Sequence, residues 1–249
     1  MKISIENISG IKEISAVQDR LSQGEIIVVR GFFSEQIMEL LENSIARLLE
    51  NEATWMPLYD ECEDYHRIND EYPKSYVKAK THSFMFHFFK KMNSDLLQAT
   101  MPLWDLKLQW GGVNEESAKN AKLTALPSDG YIARVVSHLY PAGGGYLAKH
   151  RDPINQANMI QTLIVGSQFG RDFKTGGLYV YATDGTPFFV DECCDKGDLL
   201  LFDQSFQHEV KPVDVKQNLD WGSMAGRLQH VLLFTRSDYL KGSVADVES

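Results

Sequence analysis

The sequence predicts a mainly β fold with supporting helices, and three observations carry this prediction. Short segments rich in β-branched and aromatic residues recur through the second half of the chain. Most of them are bounded by Gly, Asp, Asn or Pro, which favour turns. Apolar residues with helical spacing occur in the N-terminal part. Many short strands separated by turns are typical of a β-sandwich or a double-stranded jelly roll.

The N-terminal part is predicted to support the sheet. Gly24–Arg30 (GEIIVVR) is a predicted strand, after which Ser34 can cap a helix. The apolar face of that helix carries Ile37, Leu40, Leu41, Ile45 and Leu48. A second helix is predicted around His82–Thr100, and we interpret its apolar stripe as core. That stripe comprises Phe84, Met85, Phe88, Phe89, Met92 and Leu96.

The second half contains the predicted strands in close succession. Tyr131–Tyr140 runs into the turn cluster Pro141–Gly145, and the chain then returns carrying His150-Arg-Asp152. Further strands are predicted at Met159–Val165, Gly177–Tyr181, Pro187–Val190, Leu199–Phe202 and Leu228–Phe234.

His150, Asp152 and His208 are candidate metal ligands. Side chains alternate along a strand, so a His and an Asp separated by one residue point to the same face. His208 follows Asp152 by 56 residues, and a jelly roll brings such distant strands together. Two imidazoles and a carboxylate suit iron(II) and leave about three of six octahedral positions open. The sequence therefore predicts a metal site with one face open to oxygen and organic ligands.

The chain from Tyr140 to Phe234 resembles the iron(II)/2-oxoglutarate-dependent dioxygenases, and among them the prolyl-hydroxylase type. The matching segments are Tyr140–Asp152, Thr175–Val180, Gly197–Phe202, His208–Pro212 and Gly226-Arg227. The resemblance implies a double-stranded β-helix core with an N-terminal helical extension, Fe(II) as the metal, 2-oxoglutarate as cosubstrate and O2 as co-reactant. It also implies that Tyr140 lies beside 2-oxoglutarate and that Arg227 binds its distal carboxylate, which a planar guanidinium suits.

Two departures from the family pattern affect the cosubstrate site. The polar segment Val215–Ala225 lengthens the stretch before Arg227, so Arg236 is kept as an alternative anchor. Ungapped counting from His150 places Gly166 where some members carry a second tyrosine.

Asp152 stands where related halogenases have Gly or Ala, so the resemblance implies hydroxylation.

Segments outside the barrel commonly select the substrate in such enzymes. On this basis Tyr65 and Arg67, in the aromatic and charged stretch Trp55–Tyr76, are candidate substrate contacts. Tyr146 and Arg151 are further candidates near the metal. A solvated surface is the alternative interpretation for each.

We expect hydroxylation of a small metabolite or amino acid. The alternatives are hydroxylation of prolyl residues in a protein and a non-catalytic jelly-roll binding module.

The remaining His residues and a Cys pair are assigned structural roles. A lone His is more often a surface or core residue than a ligand. These residues are His66, His82, His87, His138 and His230. Two adjacent Cys in Asp191–Asp195 (DECCD) lack the spaced partners of a zinc site, so this run is predicted to be an acidic turn.

Size and charge limit the function classes. A chain of 249 residues with 43% apolar content can bury a large core, and we expect one catalytic domain over residues 1–249. Residues 1–125 would form the supporting and substrate-covering region, and residues 126–240 the jelly-roll core. A net charge of −9 disfavours nucleic-acid binding, and the oligomeric state is left open.

Targeting signals are not recognised in the sequence. Met1–Asp19 lacks the apolar core of a signal peptide, and no run approaches the ~18 apolar residues of a membrane span. Three Cys do not form a disulfide framework. We therefore expect a cytoplasmic protein.

Overall fold

The computed structural model describes residues 1–49, 54–55, 65–70, 77–88, 93–112, 131–152 and 160–236. These ranges contain three α-helices, α1 (Ile14–Ser22), α2 (Glu35–Leu49) and α3 (Ser94–Trp110). The strands in the same ranges are β1 (Lys2–Glu6), β2 (Glu25–Val29), β3 (Thr54–Trp55), β4 (Tyr65–Ile68), β5 (Ala79–His87), β6 (Tyr131–Pro141), β7 (Gly145–His150), β8 (Ile160–Val165), β9 (Gly177–Tyr181), β10 (Pro187–Phe189), β11 (Leu199–Asp203), β12 (His208–Val213) and β13 (Gly226–Arg236). The predicted domain boundary at residues 125–126 lies outside the described residues.

Strands β6 to β13 form two sheets. The major sheet has the order β11-β8-β13-β6, and the minor sheet has the order β7-β12-β9-β10. All neighbours within these two groups are antiparallel. Apart from the β9–β10 pair, successive strands alternate between the sheets. This order is that of a double-stranded jelly roll, which confirms the predicted fold class.

The N-terminal strands extend the major sheet at both edges. On one side β2 pairs with β11, and β1 adds to β2 in parallel. On the other side β5 pairs with β6 and β4 pairs with β5. Residues Ala79 and Lys80 of β5 also pair with β7, so β5 joins the two sheets along this edge.

Alternation along the strands of the major sheet produces two apolar cores. In β11, Leu200 and Phe202 face the interior, defined here as the space between the two sheets. Leu199 and Leu201 face the outer side, where they pack with residues of the helices. Because both faces are covered, this strand is a continuous apolar run in the sequence, without the alternation of a half-exposed strand.

The predicted strand and first helix of the N-terminal part are confirmed, whereas the second helix is confirmed only in part. The strand predicted at Gly24–Arg30 is β2, and the helix after Ser34 is α2, with Leu41, Ile45 and Leu48 buried. The helix predicted around His82–Thr100 is wrong in its first part, where the chain forms strand β5, and right from Ser94 onward, where α3 begins. Phe89 and Met92 of its predicted stripe lie outside the described residues. Nearly every residue of β5 is buried, so its aromatic run shows no period-two alternation and mimics a helical stripe.

The two predicted irregular segments are also observed. Asp191–Cys193 forms a single 3-10 turn, and Val215–Ala225 contains neither helix nor strand. None of the helices in the described ranges is long and apolar enough to cross a membrane.

Candidate metal centre

His150, Asp152 and His208 lie together at one end of the minor sheet. His150 is the last residue of β7, His208 is the first of β12, and the two are paired across the ladder. One ligand atom from each of the three residues lies within 4.8 Å of the others. His150 Nε2 is 3.2 Å from Asp152 Oδ1, and His208 Nε2 is 3.5 Å from Asp152 Oδ2. The three predicted ligands are therefore brought together.

An irregularity in β7 determines which side His150 faces. Leu147 pairs with Val210, whereas His150 pairs with His208, so β7 has one more residue than β12 between these pairs. Simple alternation would put His150 on the face opposite Leu147, which packs against the interior core. The extra residue is a β-bulge and turns His150 to the interior. The strand ends at His150, so Asp152 reaches the site from beyond the strand, not by the strand alternation predicted from the sequence.

Backbone carbonyls orient both imidazoles. His150 Nδ1 lies 2.8 Å from the carbonyl oxygen of Ala148, and His208 Nδ1 lies 3.0 Å from that of Phe206. A proton on each Nδ1 donates to these oxygens and leaves the Nε2 lone pair for a metal. Burial lowers the pKa of His208, although nearby Asp152 opposes the shift. The net lowering suits a neutral imidazole at His208, the form that binds a metal.

Gln161 is a partner of the cluster that the sequence analysis missed. Its Nε2 donates to Asp152 Oδ2 at 3.1 Å, and its side chain projects from β8 beside the interior residue Leu163. Such a bond holds a ligating carboxylate in one orientation. A single amide in the apolar strand Ile160–Val165 was the available signal.

The donor set fits a first-row metal ion. Metal bonds of about 2.1 Å to nitrogen and oxygen place neighbouring ligand atoms about 3 Å apart. The observed separations of 3.2 and 3.5 Å are close to this value. Two imidazoles and one carboxylate are also the donor set of non-haem iron(II) sites, which keep further coordination positions for other ligands.

Tyr140 and Arg227 lie deeper in the interior. They are paired across β6 and β13, and each is 1% exposed. The guanidinium carbon of Arg227 lies 5.8 Å from the centre of the Tyr140 ring. Burial raises the pKa of Tyr140, although the charge of Arg227 opposes this shift, so its hydroxyl keeps its proton. The structure thus brings the two predicted cosubstrate residues together.

Arg227 has two further partners that the sequence analysis missed. Its Nε and Nη2 donate to Asp191 at 2.6 and 2.8 Å, and its Nη1 donates to Gln229 Oε1. Gln229 Nε2 lies 3.4 Å from the hydroxyl of Tyr140. Arg227 and Gln229 are two residues apart on one strand, a spacing that puts both on the same face.

The alternative anchor Arg236 stands at the other end of β13. It pairs with Tyr131, whereas Arg227 pairs with Tyr140, and the nine residue steps from Arg227 to Arg236 span roughly 30 Å along the strand. The side chain of Arg236 lies outside the described part of the structure. Arg227 is therefore the better candidate, because it shares the interior with Tyr140.

Gly166 does not occupy an interior position. A Cβ at Gly166 would lie 2.7 Å from Leu228 Cγ and 2.9 Å from His230 Nε2, both on the outer side. The interior residues near this end of β8 are Leu163 and Val165. Ungapped counting from His150 thus selected the wrong face of the strand.

Tyr65 and Arg67 lie on the outer side of the major sheet. They pair with Phe84 and His82 of β5, and Tyr65 belongs to the same outer core as Phe84. The hydroxyl of Tyr65 lies 2.7 Å from His82 Nδ1. The guanidinium of Arg67 lies 5.8 Å from the ring of Trp221. The sheet separates both residues from the interior, so this placement does not support the predicted substrate contacts.

Tyr146 and Arg151 occupy different surroundings. Tyr146 precedes the interior residue Leu147 on β7, so it faces the opposite side, where it contacts Asp70. Burial and the charge of Asp70 raise the pKa of Tyr146. Arg151 is exposed and stands between the candidate ligands His150 and Asp152. Of the four predicted substrate contacts, Arg151 is the one that adjoins the candidate metal ligands.

The other described histidines differ in the faces they occupy. His82 and His230 are fully buried on the outer side, and His230 Nδ1 lies 2.7 Å from Ser137 Oγ. Burial lowers the pKa of His82 to about 4 and that of His230 to about 3, so both are neutral and structural. His87 is also buried. His138 is half-buried and pairs with Gln229 on the interior face. The side chain of His66 is outside the described residues.

Comparison with known proteins gives a structural likeness without a sequence match. No family model and no curated protein matches the chain. A prolyl-4-hydroxylase from Pseudomonas putida aligns at a TM-score of 0.56 with 16% identity, covering 89% of this chain and 98% of that one. A prolyl hydroxylase from Trichoplax adhaerens, in complex with a hypoxia-inducible-factor peptide fragment, gives 0.56 and 15%, covering 92% of both chains.

A third similar structure has a different reaction. The epimerase SnoN, in complex with Fe3+, α-ketoglutarate and nogalamycin RO, aligns at a TM-score of 0.53 with 11% identity, covering 89% of this chain and 83% of that one. At these identities the likeness concerns the fold. The chain thus has the jelly-roll fold of prolyl hydroxylases and of an iron- and α-ketoglutarate-binding epimerase, with a His-Asp-His cluster at one end of its minor sheet.

Proposed function

We propose that the protein is an Fe(II)/2-oxoglutarate-dependent dioxygenase that hydroxylates an unactivated C–H bond of a small metabolite or amino acid. The observation that carries this proposal is the cluster of His150, Asp152 and His208, whose ligand atoms lie within 4.8 Å of one another. His and Asp side chains that meet by chance at a surface have no reason to be held in one orientation by further hydrogen bonds. Here both imidazoles are fixed by backbone carbonyls and the carboxylate is fixed by Gln161.

The protein residues would divide the work between holding and orienting. His150, Asp152 and His208 would hold Fe(II) through two Nε2 atoms and a carboxylate oxygen. Bound iron would supply the oxidation, with O2 and 2-oxoglutarate as co-reactants and with succinate, carbon dioxide and the hydroxylated substrate as products. Gln161 would keep Asp152 directed at the metal.

The cosubstrate end of the interior would be formed by Tyr140, Arg227 and Gln229. A buried guanidinium suits a carboxylate, and a hydrogen bond to a charged group contributes about 1.5–3 kcal/mol. The protonated hydroxyl of Tyr140 can donate a further hydrogen bond. Arg151, exposed beside the ligands, remains a candidate contact for substrate.

Hydroxylation of prolyl residues in a protein is the second candidate. It is favoured by the likeness to two prolyl hydroxylases, one of them in complex with a peptide fragment. The likeness to SnoN, named as an epimerase, means that the fold alone does not select the reaction. Asp152 favours hydroxylation over halogenation, because the halogenases related to the family that this chain resembles have Gly or Ala in place of this carboxylate. A non-catalytic binding module is disfavoured, since it has no need for the three ligands together with Arg227.

The proposed location is the cytoplasm. Both cysteines in the described part of the chain, Cys193 and Cys194, are free thiols, which suits a reducing compartment.

Substrate-dependent succinate release tests the proposal. Protein loaded with Fe(II) without oxygen is mixed with O2, 2-oxoglutarate and a panel of amino acids, metabolites and prolyl peptides. Succinate and a product heavier by one oxygen atom are expected with the true substrate. The matched control is Asp152→Ala, which lacks the carboxylate ligand. Succinate release no faster than in this control would refute the proposed function.

A further inference from the structure

Asp191 occupies a built position between the two sheets. It opens the 3-10 turn after β10, is 4% exposed, and its Oδ2 accepts a hydrogen bond from the backbone N–H of Leu178 at 2.6 Å. Gly177 leaves room for this carboxylate, because a Cβ there would lie 2.5 Å from Asp191 Oδ2. Gly177 and Leu178 belong to β9, so Asp191 is held against the minor sheet.

The ion pair of Asp191 with Arg227 crosses the interior. Arg227 projects from β13 of the major sheet, and its Nε and Nη2 form a two-pronged contact with the carboxylate at 2.6 and 2.8 Å. Both side chains are almost completely buried. A buried guanidinium without a counter-ion is costly, so Asp191 offsets the desolvation of Arg227 when no other anion is present.

The opposite side of the guanidinium is also held. Nη1 donates to Gln229, whose amide lies 3.4 Å from the hydroxyl of Tyr140. A guanidinium has five N–H groups. Described residues engage three of the five on Arg227, so up to two remain for a ligand. An incoming carboxylate must therefore bind away from the Nε side, which Asp191 covers.

We infer that Asp191 is a positioning residue for the cosubstrate: it fixes Arg227 so that the guanidinium presents its remaining N–H groups to the distal carboxylate of 2-oxoglutarate. This inference rests on the proposed function. The positive charge of Arg227 is largely compensated in advance, so recognition depends on the orientation of its N–H groups. Preorganisation of this kind lowers the ordering cost of binding.

The test compares two ligands in the Mn(II)-loaded full-length protein. 2-Oxoglutarate carries the distal carboxylate, and 2-oxobutyrate, a 2-oxo monoacid, does not. Calorimetry on Asp191→Asn is expected to show that 2-oxoglutarate binds at least about tenfold more weakly. Such a fall corresponds to the loss of roughly one charged hydrogen bond. Binding of 2-oxobutyrate and of Mn(II) is expected to stay within about twofold of the unsubstituted protein, because neither uses Arg227.

The matched control is Asp195→Asn in the same segment. Asp195 is more than half exposed and pairs with Arg30, so its substitution should change neither ligand's affinity. If Asp191→Asn does not fold, Asp191→Glu decides, since it keeps the charge but displaces the guanidinium. It should weaken 2-oxoglutarate binding selectively.

Three outcomes separate the possibilities. Unchanged or tighter binding of 2-oxoglutarate in a folded Asp191 variant would overturn the inference, because Asp191 would then be neutral toward the ligand or compete with it. Equal weakening of both ligands would also overturn it, since that indicates a purely structural role. Failure of the unsubstituted protein to bind 2-oxoglutarate would instead refute the proposed function itself.

Discussion

The two ends of the interior are built in different ways. The proposed metal end uses the ends of β7 and β12, a bulge and a residue beyond the strand, and it includes the exposed Arg151. The other end uses Tyr140 and Arg227, which are 1% exposed and paired across adjacent strands. An open end suits exchange of metal, oxygen and substrate. A closed, ion-paired end suits a fixed contact to a cosubstrate.

Removal of a proposed metal ligand should have the largest functional effect and a small effect on stability. Asp152→Ala is expected to lower Fe(II) affinity and succinate release by more than about 100-fold, beyond the effect usual for outer partners of a ligand. The unfolding free energy of the metal-free protein should change little, because Asp152 lies beyond the strand end. Metal titration and urea unfolding measure the two quantities. A large loss of stability in this variant would contradict the proposed difference between the ends.

Disruption of the closed end should reduce stability directly. Arg227→Met leaves Asp191 buried without its partner, which typically costs about 3–5 kcal/mol. The double variant Arg227→Met with Asp191→Leu should recover a large part of this loss, since no charge is then buried alone. Urea unfolding of both variants measures the effect. A loss below about 1 kcal/mol in the single variant is typical of solvent-exposed ion pairs, and it would show that water reaches Asp191 and Arg227.

The cluster of candidate metal ligands could be predicted from the sequence because the proposed chemistry requires particular residue types. His150, Asp152 and His208 were identified by type and spacing, and Arg227 by its place in a family pattern. The bulge at Ala148 and Lys149 has no residue signature, so the interior orientation of His150 could be predicted but not its cause. Strand β5 was misassigned because burial on both faces removes the alternation that identifies a strand.

The closed end was predicted only in part, for a physical reason. Asp191 lies 36 residues before Arg227 and stands in an acidic run, which is normally solvated. Only the topology shows that this run meets β13 in the interior. Tyr65 and Arg67 show the converse: their polar and aromatic character suggested a substrate surface, yet strand pairing places them behind the major sheet.

The histidines of the outer side should make the protein sensitive to acid. The pKa values of His82 and His230 are about 4 and about 3 in the folded protein, against about 6.5 when unfolded. The unfolded chain therefore binds more protons below pH 6.5. The contribution of the two histidines to the free energy of unfolding should be fully present above that pH. It should fall by up to about 1.4 kcal/mol per pH unit for each histidine as the pH drops toward 4.

Unfolding of metal-free protein between pH 7 and 4 measures this slope. His230→Gln should make the slope shallower, because one of the two protonation steps is removed. An unchanged slope in this variant would argue against a neutral, buried His230.

The smallest effect is expected on the outer side of the major sheet. Arg67→Ala should leave the KM values for substrate and for 2-oxoglutarate unchanged within about twofold, because the sheet separates Arg67 from the interior. Arg151→Ala should raise the KM for substrate alone, since Arg151 adjoins the metal ligands. Steady-state kinetics with the identified substrate compares the two. A rise in substrate KM for Arg67→Ala would restore the prediction made from the sequence.

The most direct test of the central claim is ligand binding at the two ends without turnover. Calorimetry without oxygen should show one Fe(II) per chain and a 2-oxoglutarate affinity that depends on both ends. That affinity should fall when Fe(II) is left out, when Asp152 is replaced by Ala, and when Arg227 is replaced by Met. The account would be contradicted if the unsubstituted protein with Fe(II) did not bind 2-oxoglutarate. It would also be contradicted if that protein and the three altered cases bound 2-oxoglutarate equally tightly.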